Sequence, residues 1–144
     1  MRNKITFVLL VTFFVLLSTS CNDKRITEDE LPQKVKTFIK QSVPGLSISY
    51  AQKDWGIFGT EYNVMLSDST KVDFDSNNVW EEIENKAGVN PELIPATVAA
   101  YLNTRFPGIA ATVVSKERYG FKVELVNDVE IKLNEQGALI EMDD

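Results

Sequence analysis

The sequence predicts an α+β fold in which two tandem repeats, each a helix followed by four antiparallel strands, form one sheet with the helices on one face. Three observations support it. The apolar pattern of residues 31–49 returns 63 residues later, a helical spacing of apolar residues changes to alternation within each copy, and Pro-Gly stands at each change. Alternation, rather than continuous apolar runs, indicates a sheet with one buried face and one solvated face.

The first twenty residues have the composition of a secretory signal peptide. Arg2 and Lys4 precede residues 5–17, an apolar run broken only by threonines. As a helix, this run spans about 20 Å, less than the roughly 30 Å hydrocarbon core of a bilayer. We therefore predict that residues 1–20 are a signal peptide and that the chain is secreted across the inner membrane.

Cys21 is the only cysteine, and it directly follows three small residues. This arrangement resembles the lipobox of bacterial lipoproteins, in which the chain is cut before the cysteine and the thiol is acylated. The resemblance implies lipidation of Cys21 and a membrane-anchored protein in the periplasm or on the cell surface. The alternative is an ordinary signal peptide followed by an unpaired cysteine.

Residues 21–30 are almost entirely polar, so we predict a flexible tether there and a folded domain over 31–144. Removal of residues 1–20 removes Arg2 and Lys4 and no acid, which leaves 13 basic and 21 acidic side chains and a formal charge of −8. Nucleic acid is an unexpected partner for such a chain, because neutralising phosphates requires a basic stripe.

The chain contains no histidine. If Cys21 carries the lipid, Ser-His and Cys-His catalysis and His- or Cys-rich metal sites are excluded. Asp73 and Asp75 lie two apart on a predicted strand, a spacing compatible with a glycosidase carboxylate pair. A single repeated sheet offers no cleft around such a pair, so we expect no enzyme activity and no cofactor.

The first copy, residues 31–84, begins with a helix. Pro32 stands near its first turn, the apolar residues Leu31, Val35, Phe38 and Ile39 have helical spacing, and Pro44-Gly45 ends it. Four strands then follow from apolar residues with a period of two. Their apolar positions are Leu46, Ile48 and Tyr50; Tyr62, Val64 and Leu66; Val72 and Phe74; and Val79 and Ile83.

The second copy, residues 91–143, has the same order, with Pro95 at the helix start and Pro107-Gly108 at its end. The offset between the copies is 63 in the first half of each copy and 59 from the second strand onward, so the first copy holds four extra residues near 54–59. Trp55, Ile57 and Phe58 lie in this insertion. We expect them at a hairpin tip that either docks on a partner or folds back onto the domain.

The stretch DFDSNNVWEEIE, residues 73–84, has the ligand spacing of a helix-flanked calcium loop. In the second copy, however, the first ligand position is Lys132, and an alternating strand pattern precedes the window where a calcium loop needs a helix. Asn78 aligns with Gly137, and both residue types readily adopt positive φ. The sequence therefore predicts a β-hairpin here, with acidic residues on its solvent face.

These features together resemble the BLIP-like (β-lactamase-inhibitor-like), PepSY-like lipoproteins of Bacteroidetes-type bacteria over residues 30–143. The matching residues are Pro32, Pro44-Gly45, Asp73-Phe74-Asp75, Trp80, Pro95 and Pro107-Gly108. The resemblance implies two repeats whose sheets join into one concave surface, and a protein-binding module that inhibits or regulates a secreted or envelope enzyme such as a peptidase. Asn134 and Leu139 replace Asp75 and Trp80 in the second copy, so a site that uses the acid and the indole belongs to the first copy.

Alternation places one set of side chains on the face away from the helices. An aromatic side chain among carboxylates suits a protein partner, because the ring supplies buried area and the acids attract a basic surface. The candidate partner-binding residues on this face and at the tip are Trp55, Phe58, Met65, Asp73, Asp75, Trp80 and Glu82. The alternatives are a sensor that binds calcium, glycans or peptidoglycan fragments at the same acidic face, and a solvated face without a partner.

Overall fold

A computed structural model describes residues 23–144; the predicted signal peptide and Cys21 lie outside these residues. The strands are β1 (Lys24–Ile26), β2 (Ile48–Gly56), β3 (Gly59–Leu66), β4 (Lys71–Phe74), β5 (Trp80–Glu84), β6 (Ala111–Glu117), β7 (Gly120–Leu125), β8 (Glu130–Asn134) and β9 (Leu139–Asp143). The helices are α1 (Gln33–Ser42) and α2 (Ala96–Arg105), and short 3-10 turns span Glu28–Glu30 and Pro91–Leu93.

The nine strands form one antiparallel sheet in which the spatial order is the chain order. The four strands after α1 join the four strands after α2 where β5 pairs with β6, with Glu82 opposite Ser115. Two helices and one open antiparallel sheet confirm the predicted α+β class.

Both helices cover the same face of the sheet. Each begins directly after a proline, Pro32 or Pro95, whose fixed φ suits a helix start. Each then buries two apolar side chains one turn apart. These four side chains, Val35, Ile39, Val98 and Leu102, belong to one hydrophobic core with the inward side chains of the sheet. The inward side chains include Val64, Phe74, Ile83, Val114, Val123 and Ile131.

The predicted flexible tether over 21–30 is wrong from Lys24 onward. Lys24–Ile26 form β1, which pairs with β2 at the edge of the sheet, and the side chain of Ile26 is buried in the core. Thr27 and Glu30 close the following turn, because the Thr27 N–H and hydroxyl both donate to the Glu30 carboxylate. One apolar residue among polar ones gave too weak a pattern to predict this strand.

The prediction that Trp80 lies on the open face of the sheet is also wrong. Along β4 and β5, Asp73 is opposite Glu82, but Phe74 is opposite Trp80, so the extra residue Glu81 forms a β-bulge. A bulge reverses the alternation beyond it. Trp80 consequently lies on the helix side, with 9% of its surface exposed.

A second bulge has the opposite effect on Tyr50. In β2, Ile48 is opposite Leu66 and Tyr50 is opposite Met65, so one residue is inserted between them. The alternating pattern grouped Tyr50 with the inward residues Leu46 and Ile48, whereas the structure places it beside Met65 on the open face.

The predicted insertion near residues 54–59 lies in a long hairpin. β2 and β3 contain nine and eight residues, whereas β6 and β7 contain seven and six. The β2–β3 hairpin is therefore two residues longer in each strand, and its tip, Trp55–Phe58, extends beyond the rest of the sheet edge.

Candidate functional site

The face of the sheet away from the helices, called the open face below, presents two rows of side chains that run across the strands. The first row crosses all nine strands: Arg25, Gln52, Asn63, Asp73, Glu82, Ser115, Lys122, Lys132 and Glu141. The second row runs from β2 to β9: Tyr50, Met65, Lys71, Glu84, Val113, Glu124, Glu130 and Asp143. Carboxylates outnumber cationic groups in these rows, so the open face is acidic.

Asp73 stands near the middle of the first row, and only one of its two carboxylate oxygens has a hydrogen-bond partner in the described residues. Its Oδ2 atom lies 2.8 Å from Lys71 Nζ, while its Oδ1 atom is buried and has no hydrogen-bond partner in residues 23–144. Burial raises the pKa of Asp73, Lys71 opposes that rise, and the charges of Glu82 and Glu84 add to it. Burial disfavours the charged form of Lys71, but the hydrogen bond to Asp73 and the charges of Asp73, Glu82 and Glu84 together outweigh burial and raise the pKa of Lys71. Asp73 is therefore the less satisfied member of the ion pair.

We predict that Asp73→Asn raises the free energy of unfolding at neutral pH. Because the pKa of Asp73 is higher in the folded chain than its ordinary value, the ionised carboxylate costs stability at pH values above the folded pKa. That cost disappears as the pH falls through the folded pKa and below the ordinary value. Urea unfolding between pH 3 and pH 8 should show a gain for the variant that vanishes in acid.

The control for this measurement is Glu92→Gln, which removes one negative charge from an exposed side chain on the helix side. We expect little change from it at any pH. A loss of stability in Asp73→Asn at pH 7, or a gain that persists to pH 3, would contradict the prediction.

Glu82 and the residues around it link the two halves of the open face. Ser115 Oγ on β6 donates to Glu82 Oε2 at 2.9 Å. On the far side, Lys122 pairs with Glu124 at 3.0 Å and Lys132 pairs with Glu141 at 2.7 Å. Exposed ion pairs of this kind contribute little to stability, but they fix the direction of the charged groups.

The predicted site residue Asp75 has a local structural role. Its carboxylate accepts hydrogen bonds from the backbone N–H groups of Asn77 and Val79 and so closes the β4–β5 turn. Asn78 completes this turn with φ of 60°. The predicted hairpin is thereby confirmed, and the corresponding side chain Asn134 makes the same two kinds of bond in the β8–β9 turn.

Trp80 lies in a cleft between α1 and the segment that leads into α2, instead of on the open face. Its ring stacks on Phe121 with 6.4 Å between ring centroids, and Lys116 Nζ lies 4.3 Å from its centroid. Desolvation lowers the pKa of Lys116. The cleft has a volume of about 330 Å³. It is lined by Phe38 and Ser42 of α1, by residues 92–95 before α2, and by Trp80, Lys116 and Phe121.

The remaining predicted site residues fall into two places. Met65 is half-buried in the second row of the open face, between Tyr50 and Lys71. Trp55 and Phe58 lie at the hairpin tip, where 61% and 88% of their surfaces are exposed. The tip therefore does not fold back onto the domain, which was one of the two alternatives.

Sequence reasoning missed several members of the open face. Arg25, whose guanidinium lies 4.3 Å from the centre of the Tyr50 ring, could not be placed without β1 and the β2 bulge. Ser115 was missed because polar side chains of its size give no periodic signal. The bulge residue Glu81 also lies near this face, since burial and the charges of Asp75, Glu61 and Asp73 raise its pKa.

Within residues 23–144, metal-ligand clusters and membrane-spanning helices are both absent. No three Asp, Glu, His or Cys side chains within residues 23–144 are grouped so that they could hold a metal ion. Neither of the two helices in this part of the chain is long and apolar enough to cross a membrane.

A family model described as "Putative beta-lactamase-inhibitor-like, PepSY-like" matches residues 17–56 and 60–141. No curated protein matches the chain. The family match includes both helices and all or most of each of the nine strands, and the tip lies at the gap between its two segments.

Three solved structures from Bacteroides are similar over nearly their whole length. A "putative periplasmic protein" from Bacteroides vulgatus has 28% identity and a TM-score of 0.76, covering 87% of this chain and 99% of that one. A "putative calcium-regulated periplasmic protein" from Bacteroides thetaiotaomicron has 28% identity and a TM-score of 0.75, covering 85% and 97%. A second Bacteroides vulgatus periplasmic protein "of unknown function" has 22% identity and a TM-score of 0.74, covering 85% and 99%.

Proposed function

Because this chain belongs to the beta-lactamase-inhibitor-like, PepSY-like family, we propose that it is a non-catalytic, protein-binding module of the bacterial envelope. Its partner binds to the open face and is a secreted or envelope enzyme, such as a peptidase, that the module inhibits or regulates. A lipid on Cys21 holds the module at a membrane. The periplasmic descriptions of the similar proteins from Bacteroides support this location.

The observation that carries the proposal is the unsatisfied acid at the centre of the open face. A buried carboxylate oxygen without a hydrogen-bond donor costs stability. The Oδ1 atom of Asp73 is in this state, and Glu82 and Glu84 add negative charge beside it. Because 24% of the Asp73 side chain is exposed, a lysine or arginine from a partner would reach the accessible side of the carboxylate and neutralise the excess charge, so the partner should present a basic side chain here.

The two halves of the chain both contribute to this face, and we regard them as copies of one unit. Each half consists of a ten-residue helix, preceded by proline, and four strands. Each helix also approaches the last turn of its own half: Lys34 Nζ donates to the Asn77 carbonyl, and Thr97 lies against Gly137. Joined at β5 and β6, two such units make a sheet wide enough for a protein partner.

The test is affinity capture with crosslinking from the native cell envelope. Chain 21–144 is the bait, beside Asp73→Lys and the control Glu92→Lys, which makes the same charge change on the helix side. We expect an envelope protein that is captured by wild type and Glu92→Lys and whose affinity falls about 30-fold or more with Asp73→Lys. Equal capture by all three baits, or capture by none, would overturn the open-face proposal.

Calcium is the second candidate ligand for the same face. The similar protein from Bacteroides thetaiotaomicron is described as calcium-regulated, and the partly exposed carboxylate of Asp73 offers the kind of oxygen ligand that calcium takes. Calorimetric titration with CaCl₂ separates the two candidates. Binding by wild type that is lost in Asp73→Asn would favour the cation, whereas absence of calcium binding together with face-dependent protein capture would favour the protein partner.

A further inference from the structure

The tip of the β2–β3 hairpin is the most exposed apolar part of the described chain. Trp55, Ile57 and Phe58 have 61%, 94% and 88% of their surfaces exposed, and they are nearly consecutive. Large apolar side chains grouped in this way at a turn are costly in water and usually indicate contact with another surface. The core does not require them, because the β6–β7 hairpin closes without this extension.

The start of the described chain lies at the same end of the molecule. β1 is antiparallel to β2, with Lys24 opposite Lys53, so the chain before Lys24 lies beside the part of β2 that leads to the tip. Asp54 raises the pKa of Asp23, in keeping with this proximity. Cys21 precedes Asp23 by two residues, a reach of at most about 7 Å. The proposed site of lipid attachment is therefore close to the exposed tip.

Two lysines beside the tip are only weakly balanced by an anionic group in residues 23–144. The pKa of Glu30 is lowered first by hydrogen bonds from Thr27 and further by the charges of Lys24 and Lys53, but Glu30 lies too far from both to form an ion pair. Lys24 and Lys53 are directly opposite each other across β1 and β2, although like charges in that position repel. Neither forms an ion pair in this part of the chain. Lys53 Nζ lies 6.0 Å from the centre of the Trp55 ring, so charge and indole occupy the same side of the hairpin.

From these observations we propose that Trp55, Ile57 and Phe58 insert into the membrane interface beside the lipid on Cys21, with Lys24 and Lys53 on the anionic headgroups. Aromatic and aliphatic side chains flanked by lysines suit the boundary between headgroups and acyl chains. The proposal rests on the proposed lipid anchor, which would hold the tip at the bilayer.

Insertion would also orient the module. The lysine side of the hairpin is the helix side of the sheet, while Asp54 and Glu61 face each other on the open side. An anionic bilayer attracts the first side and repels the second. The hairpin would therefore tilt so that the open face points away from the lipid and stays accessible to a soluble partner.

The experiment uses chain 21–144 coupled through the Cys21 thiol to a maleimide lipid in vesicles of phosphatidylethanolamine and phosphatidylglycerol, 3:1. Chemical coupling supplies the anchor whether or not cells acylate Cys21. Trp55 is the reporter, because the only other tryptophan, Trp80, is buried on the helix side of the sheet. We expect brominated acyl chains to quench the emission of wild type and to have no effect on Trp55→Phe.

The matched variants distinguish insertion from simple proximity to the vesicle. Ile57→Ser with Phe58→Ser keeps the reporter and should reduce quenching at least about threefold, since the anchoring side chains are lost. Val126→Ser with Ile140→Ser removes two exposed apolar side chains elsewhere and should leave quenching unchanged. Unquenched, water-like Trp55 emission in wild type would overturn the proposal, as would equal quenching in both double variants.

Two further measurements distinguish insertion of the tip from its contact with protein and from loss of the lipid anchor. If the tip contacts a second copy of the chain or another protein instead, Trp55 emission will shift with protein concentration or with added envelope protein and not with lipid, which would also overturn the proposal. The anchor itself is tested in cells by labelling with radioactive palmitate, comparing wild type with Cys21→Ala. Loss of the proposed anchor and failure of tip insertion therefore give different results.

Discussion

Trp80→Ala should lower the free energy of unfolding by about 3 to 5 kcal/mol, the range measured for deletion of a large buried aromatic ring. Trp80 is 9% exposed and stacks on Phe121 across the β5–β6 junction, and Lys116 Nζ lies 4.3 Å from the centre of its ring. Removal of the indole leaves a cavity between α1 and the segment before α2, and it also removes one of the contacts that join the two halves of the core. Unfolding in urea, followed by circular dichroism, measures the change.

The matched control is Trp55→Ala, which makes the same substitution at a position that is 61% exposed. We expect a change within about 0.5 kcal/mol for it, because exposed side chains contribute little to folding. A Trp80→Ala variant as stable as Trp55→Ala would show that Trp80 is not a core residue and would return it to the open face. A conservative Trp80→Phe change should recover part of the loss, because a ring can still stack on Phe121.

The error over Trp80 shows what periodicity predicts and what it does not. Alternating residues in 71–74 fix which side chains of β4 face the helices, and the structure agrees with that pattern for Val72 and Phe74. Glu81, however, is an extra residue in the pairing of β4 with β5, and a single inserted residue reverses every side chain beyond it. No property of Glu81 itself marks it as a bulge, so the face of Trp80 could not be deduced from the strand pattern.

The helices and most of the open face were more predictable. Helical spacing between a proline at the start and Pro-Gly at the end located both helices. The apolar residues of β7 and β8 alternate, which agrees with the position of Lys122, Glu124 and Lys132 on the open face. The features that the sequence did not predict depend on contacts between distant parts of the chain. β1 depends on one buried side chain, Ile26, and the contact between Glu82 and Ser115 depends on pairing between residues 33 positions apart. Such contacts are set by tertiary packing, which a local sequence pattern does not encode.

Gly120→Ala is expected to cost about 3 kcal/mol or more, because two unfavourable effects add. Gly120 begins β7 with φ of 140°, a backbone conformation that side chains disfavour by roughly 1 to 3 kcal/mol. A Cβ atom there would also overlap the backbone of Leu133 and Asn134 on the paired strand β8. Backbone atoms cannot move aside as a flexible side chain can, so the β7–β8 pairing must open at this end. Thermal unfolding and amide hydrogen exchange across β7 and β8 measure both consequences.

Substitutions at two other glycines distinguish the cost of the backbone conformation from the cost of steric overlap. Gly59 begins β3 with a similar φ of 138°, but a Cβ there would meet only the Ser76 side chain, at 3.0 Å, so Gly59→Ala should lose mainly the conformational part. Gly45 has no atom within 4 Å of a new Cβ, and Gly45→Ala should change stability by less than about 1 kcal/mol. The expected order of destabilisation is Gly120, then Gly59, then Gly45. Equal losses for Gly120→Ala and Gly59→Ala would mean that the overlap with β8 is relieved at no cost and that the backbone conformation alone requires glycine.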